Sequence, residues 1–92
     1  MKFWMTTGYY GGDILLIEQA AKDCGAQLIA VKGYDLKDYP GNREYVKGEA
    51  EYLFLLEREV KSGKEAALRE ARKTIHVDIR NRVRELALQK YG

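Results

Sequence analysis

KFWMTTGYYGGDILLIEQAAKDCGAQLIAV, residues 2–31, holds a complete supersecondary unit and sets the reading of the rest. Residues 2–7 are short, aromatic and β-branched, which favours a strand. Gly8-Tyr9-Tyr10-Gly11-Gly12 reads as its break. Asp13 follows as a helix N-cap, because its carboxylate can accept the first-turn amide hydrogens. From residue 14 to 24, Ile14, Ile17, Ala21 and Cys24 share one face. Leu15, Leu16 and Ala20 widen that apolar arc, so the helix wants cover on two sides. Gly25 suits the left-handed position that ends a helix. Gln27-Leu28-Ile29-Ala30-Val31 is a near-continuous apolar run stopped by Lys32-Gly33. Such runs are usually strands buried on both faces.

Strand, helix and strand within about 30 residues predict a βαβ unit with a right-handed crossover and a parallel strand pair. Two strands alone make a poor sheet. Either a further strand is hidden, or two copies join their sheets across a dimer.

Downstream, Tyr34 to Asn42 contains the only proline, Pro40, beside Gly41, and reads as a loop. From Arg43 the pattern turns helical, with Val46, Ala50, Leu53, Leu56 and Val60 at 3.6-residue spacing. Ser62-Gly63 marks a break. A second long helix is expected from about Lys64 to Gln89, with Leu68, Ala71, Ile75, Ile79 and Leu86 as its core stripe. Glu65–Arg69, Asp78–Arg82 and, one helix earlier, Glu57–Lys61 have the spacing and orientation of helical ion pairs. Residues 74–80 alternate apolar and polar like a strand, but the helical period continues on both sides of them. The expected fold is therefore α/β (α+β) in one domain, 1–92. It comprises a βαβ unit over 1–33, a loop over 34–42 and a two-helix hairpin over 43–92, paired in a dimer.

The chain has 92 residues, 46% hydrophobic and 33% charged, which is globular and not disordered composition. A chain this short has a modest core, which favours self-association. Sixteen Lys and Arg against 14 Asp and Glu leave a net charge of +2. That balance does not mark a nucleic-acid binder by itself, so the placement of the charges decides. The lone Cys24 excludes an internal disulfide and points to a reducing compartment. No apolar run approaches a signal-peptide core or the ~20 residues of a membrane span, so a cytoplasmic protein without membrane contact is expected.

Two surfaces could carry function. On the last helix, Arg69, Lys73, His76, Arg80 and Arg84 fall within an arc of about 80°, with Arg72 at its edge, over about 22 Å of axis. Glu70, Asp78 and Glu85 fall elsewhere on the wheel. Such a stripe suits an acidic protein surface or a phosphate backbone. Against this, Glu44, Glu49, Glu51, Glu57 and Glu59 lie on the preceding segment, where they could neutralise it. The second surface is the turn Thr7-Gly8-Tyr9-Tyr10-Gly11-Gly12-Asp13. Helix N-termini hold phosphates and carboxylates, glycines let a ligand approach the backbone, and the next strand delivers Tyr34 and Asp35 to the same edge. The turn is neither Gly-x-Gly-x-x-Gly nor a Walker loop.

Catalytic arrangements fail. Asp35 with Glu59-Val60-Lys61 superficially fits a metal-dependent nuclease, but the second part lies in the helical pattern. His76 and Cys24 have no metal-ligand spacing, and Ser62 sits in a break. No metal or cofactor is implied. The expected function is a small non-enzymatic binding protein, of adaptor or inhibitor type, using the basic helix face. The alternatives are a nucleotide or phosphate-ligand binder built on the glycine-tyrosine turn, and a structural subunit of an oligomer.

Overall fold

The computed structural model describes the backbone of residues 1–92 and every side chain except those at 9–11. The elements run β1 (Lys2–Gly12), α1 (Ile14–Asp23), β2 (Ala26–Val31), β3 (Tyr34–Asp35), a single 3-10 turn (Leu36–Asp38), β4 (Val46–Glu57) and α2 (Glu65–Tyr91). One four-stranded sheet has the order β1-β4-β2-β3, and every neighbouring pair is antiparallel.

The expected parallel pair does not form. β1 and β2 run in the same direction, as the α1 crossover requires, but β4 lies between them and pairs antiparallel with both. The hidden strand is the segment that reads as the first helix of a hairpin. Val46, Ala50, Tyr52, Phe54 and Leu56 are buried, so from Ala50 onward the period is two and not 3.6. Both periods fit the sequence because Leu53 and Leu55, on the opposite face, are also apolar and half-buried. The two-helix hairpin over 43–92 is thus corrected to a strand and one helix, and the antiparallel helix pair is α1 with α2. Four strands from one chain also make unnecessary the second copy that a two-strand sheet would need.

β1 continues through Gly8–Gly12 where a break is expected, ending against Val46 after a bulge. The bulge places two residues, Lys47 and Gly48, of β4 opposite one of β1, and Gly48 takes φ +75. An added side chain at Gly48 meets nothing within 4 Å, so only its backbone conformation resists substitution. Gly48→Val should therefore cost about 1–2 kcal/mol, read as a lower urea midpoint at unchanged slope. β2 and β3 are joined by Lys32 (φ 52) and Gly33 (φ 82), the doubly positive turn that matches the twist of a two-residue hairpin.

The core lies between one face of the sheet and both helices. Phe3 and Met5 of β1, Leu28 and Val31 of β2 and the alternating set of β4 meet Ile14, Ile17, Ala20 and Ala21 of α1 and Ile75 and Ile79 of α2. The expected stripe of α2 holds, since Leu68, Ala71 and Leu86 pack partly buried beside Ile75 and Ile79. Residues 74–80 are helical.

Candidate functional site

Both ends of the first helical crossover are closed by local chemistry. Asp13 caps α1 as its sequence position implies, with Oδ1 accepting from the amides of Leu15 (3.0 Å) and Leu16 (3.3 Å). The Ile14 amide donates to the Arg43 carbonyl at 2.8 Å, and the Ile17 amide to the Asp13 carbonyl at 3.0 Å. The first-turn amides that could hold a phosphate are therefore all engaged within the chain. At the other end, Gly25 has φ +79, and Cys24 lies half-buried at the C-cap. Burial raises the Cys24 thiol above its ordinary value, as do the carboxylates of Asp78 and Asp23, which makes it a poor nucleophile.

Asp13 carries a second load. Its Oδ2 accepts from Lys90 Nζ at 3.0 Å and from the Tyr91 hydroxyl, tying the last turn of α2 to the first turn of α1. Partial burial pushes the carboxyl up. The hydrogen bonds from Tyr91, Lys90 and the Leu16 amide outweigh it and hold the group below the usual carboxylate range.

Gly12 is short of a side chain for a packing reason. A Cβ there would collide with the Tyr52 hydroxyl and lie 3.0 Å from Ile17 Cδ1. The glycine lets the end of β1 settle on the core, and Tyr52 beneath it is fully buried, which pushes its phenol up to about 12.

The basic stripe of α2 divides into tied and untied members. Arg72 Nε donates to the Trp4 carbonyl at 2.8 Å, its Nη1 pairs with Glu65 at 3.2 Å, and its guanidinium lies 5.7 Å from the Phe3 ring centre. His76 Nδ1 is 3.1 Å from Thr7 Oγ1. Arg82 lies outside the stripe and turns toward α1, bonding Asp23 at 2.8 Å and Glu85 at 3.0 Å. Asp78 pairs with Arg58 at 3.8 Å and Glu65 with Arg72, in place of the expected Asp78–Arg82 and Glu65–Arg69 pairs. Arg69, Lys73, Arg80 and Arg84 make no ion pair among the described residues.

The glutamates expected to neutralise them are mostly elsewhere. Ala50, Tyr52, Phe54 and Leu56 face the helices, so Glu49, Glu51 and Glu57 project from the opposite face of the sheet. The sheet itself separates them from α2. Glu59 is exposed beyond the end of β4, and only Glu44 reaches the helix side.

A cleft of about 620 Å³ lies between the far half of β1 and α2. Gly8, Gly12 and Asp13 line one side, and His76, Arg80 and Arg84 the other. The two surfaces expected from sequence thus meet in one place. Glu44, expected beside the stripe, lines it as well, and so do Tyr45 and Tyr91, which the sequence patterns did not single out. Tyr91 was findable, because it continues the helical face of Arg80, Arg84 and Ala87; Tyr45 has no such signal. Tyr34 and Asp35 are not brought in, because β3 forms the opposite edge of the sheet. There Tyr34 packs edge-on to Tyr39 with ring centres 6.4 Å apart. The side chains of Tyr9 and Tyr10, and Gly11 with them, lie outside the described residues.

Among the described residues no group of three or more His, Cys, Asp or Glu is placed to hold a metal ion. Among the described residues no helix is long and apolar enough to cross a membrane. No protein-family model, no curated protein and no solved structure matches this chain.

Proposed function

We propose that this chain is a non-enzymatic binding protein that engages an acidic surface of a partner protein through the outer face of α2. The observation that carries the reading is the segregation of charge. Arg69, Lys73, Arg80 and Arg84 have no ion-pair partner among the described residues, while Glu49, Glu51 and Glu57 sit across the sheet from them. Exposed cations held on a rigid helix offer steering and complementarity to an anionic surface. An acidic protein fits better than a nucleic acid, because a net charge of only +2 and the Glu44 carboxylate at the cleft leave no continuous positive field for a line of phosphates. A free nucleotide fits less well again, since the α1 amides are already engaged.

The test uses a fluorescent Glu-rich peptide, followed by anisotropy at low salt. The double variant Lys73→Glu, Arg80→Glu should weaken binding by about tenfold or more. Unchanged affinity would overturn the reading. A DNA duplex measured in parallel should bind more weakly; tighter binding with a steep fall in salt would instead assign the face to nucleic acid.

A further inference from the structure

Resting on that reading, we infer that the acidic partner binds as an extended strand added to the outer edge of β1, with alternate acidic side chains reaching the basic face of α2. The edge is open except at the Trp4 carbonyl, which accepts from Arg72 Nε and would share that bond with an added strand. β1 is the outermost strand of the sheet, and its eleven residues contain no proline. The amino group and carbonyl of Met1 exchange hydrogen bonds with Arg58, at 3.3 and 3.1 Å. In an antiparallel ladder such bonded pairs alternate with unbonded ones. The register pairs Lys2 with Glu57, Trp4 with Leu55, Thr6 with Leu53 and Gly8 with Glu51. Counting from Met1, these four are the unbonded pairs. The backbone groups of Lys2, Trp4, Thr6 and Gly8 therefore point off the edge, away from β4.

The Arg72 bond to the Trp4 carbonyl confirms that direction and shows where α2 lies. On the helical wheel Arg82 and Asp78 turn toward α1 and Arg58, on one side of the buried Ile75 and Ile79. Arg72, His76, Arg69 and Arg80 lie in succession on the other side, over β1 and its edge. Lys2 to Gly8 covers about 20 Å of strand, and Arg69 to Arg80 about 16 Å of helix. Helix and strand run the same way, since Arg72 meets Trp4 and His76 meets Thr7.

An added strand would show every second side chain to this basic face and the others to the open face, beside Trp4, which is 51% exposed. The chemistry that fits is an alternation of acidic and apolar residues, bound by main-chain pairing for affinity and by charge for choice. A second copy fits worse. β1 pairing with its twin across a twofold axis would put both α2 helices on one face with their basic sides opposed, and like charges would repel.

The experiment measures a capped peptide alternating Glu and Val, and the same peptide N-methylated at the amides that would pair. The unmethylated peptide should bind, shift the amide signals of Lys2, Trp4, Thr6 and Gly8, and lose about tenfold or more in affinity on methylation. Thr6→Pro should act likewise, since it removes an edge donor at a position where proline is tolerated; the methylated peptide decides if that variant does not fold. Equal binding of both peptides overturns strand addition and leaves the basic-face reading intact. Binding of neither this peptide nor the Glu-rich one overturns both. A doubled mass without peptide, with the same edge amides protected from exchange, gives the edge to a second copy and overturns the proposal.

Discussion

Phe54→Ala should cost roughly 3–5 kcal/mol, enough to remove a large part of the stability of a domain this size. Phe54 is fully buried at the centre of β4, paired with Met5 of β1 and Leu28 of β2. Truncation leaves a cavity with strands on both sides, and backbones paired across it cannot collapse to fill it. If residues 46–57 formed a helix with Leu53 and Leu56 inward, Phe54 would lie well off the core face and the loss would be a fraction of this. Leu55→Ala makes the contrast, because Leu55 is half-buried on the open face and should cost far less. Urea unfolding of the two variants measures the difference.

The second large effect is expected at Asp13. Asp13→Ala removes a cap worth about 0.5–2 kcal/mol and also releases Lys90 and Tyr91, so the end of α2 should fray with it. The tie has a definite pH dependence. Its folded carboxyl titrates below the ordinary value of 3.8. The unfolded chain therefore takes up a proton first as acid is added. The contribution is complete above that ordinary value and is lost as the pH falls through the lower, folded value. Asp13→Asn keeps a capping oxygen but has nothing to titrate. It should lose less than Asp13→Ala at neutral pH and should flatten the acid limb of the stability curve. Thermal unfolding between pH 2 and 7 reads both.

Much of this fold stands in the sequence wherever one period or one cap is unopposed. Asp13, Gly25 and the run 27–31 define α1 and β2, and Leu68, Ala71, Ile75 and Ile79 define α2 despite the alternation at 74–80. β4 is misread because its open face carries Leu53 and Leu55, so both faces are apolar and a two-residue period cannot be told from a helical one. Everything downstream of that reading follows. With 46–57 as a helix, its glutamates lie beside the basic stripe; with 46–57 as a strand, alternation sends Glu49, Glu51 and Glu57 to the other side of the sheet. The stripe itself was visible at 100° per residue. That Arg72 of the stripe reaches the edge of β1, at the Trp4 carbonyl, depends on a contact between residues 68 apart, which no local pattern encodes. The glycine-tyrosine stretch had the opposite fate. Gly12 serves packing over Tyr52, and the α1 amides it leads to are already satisfied.

Every functional step depends on β4 lying between β1 and β2, and through-space proton contacts measure that directly. Unbonded antiparallel pairs bring their α-carbons to about 4.5 Å, close enough for strong contacts between α-protons. Trp4 with Leu55, and Thr6 with Leu53, should show them. A run of amide contacts between successive residues through 46–57, with α-proton contacts three residues apart and none to β1, would contradict the strand and return the glutamates to the side of the basic helix.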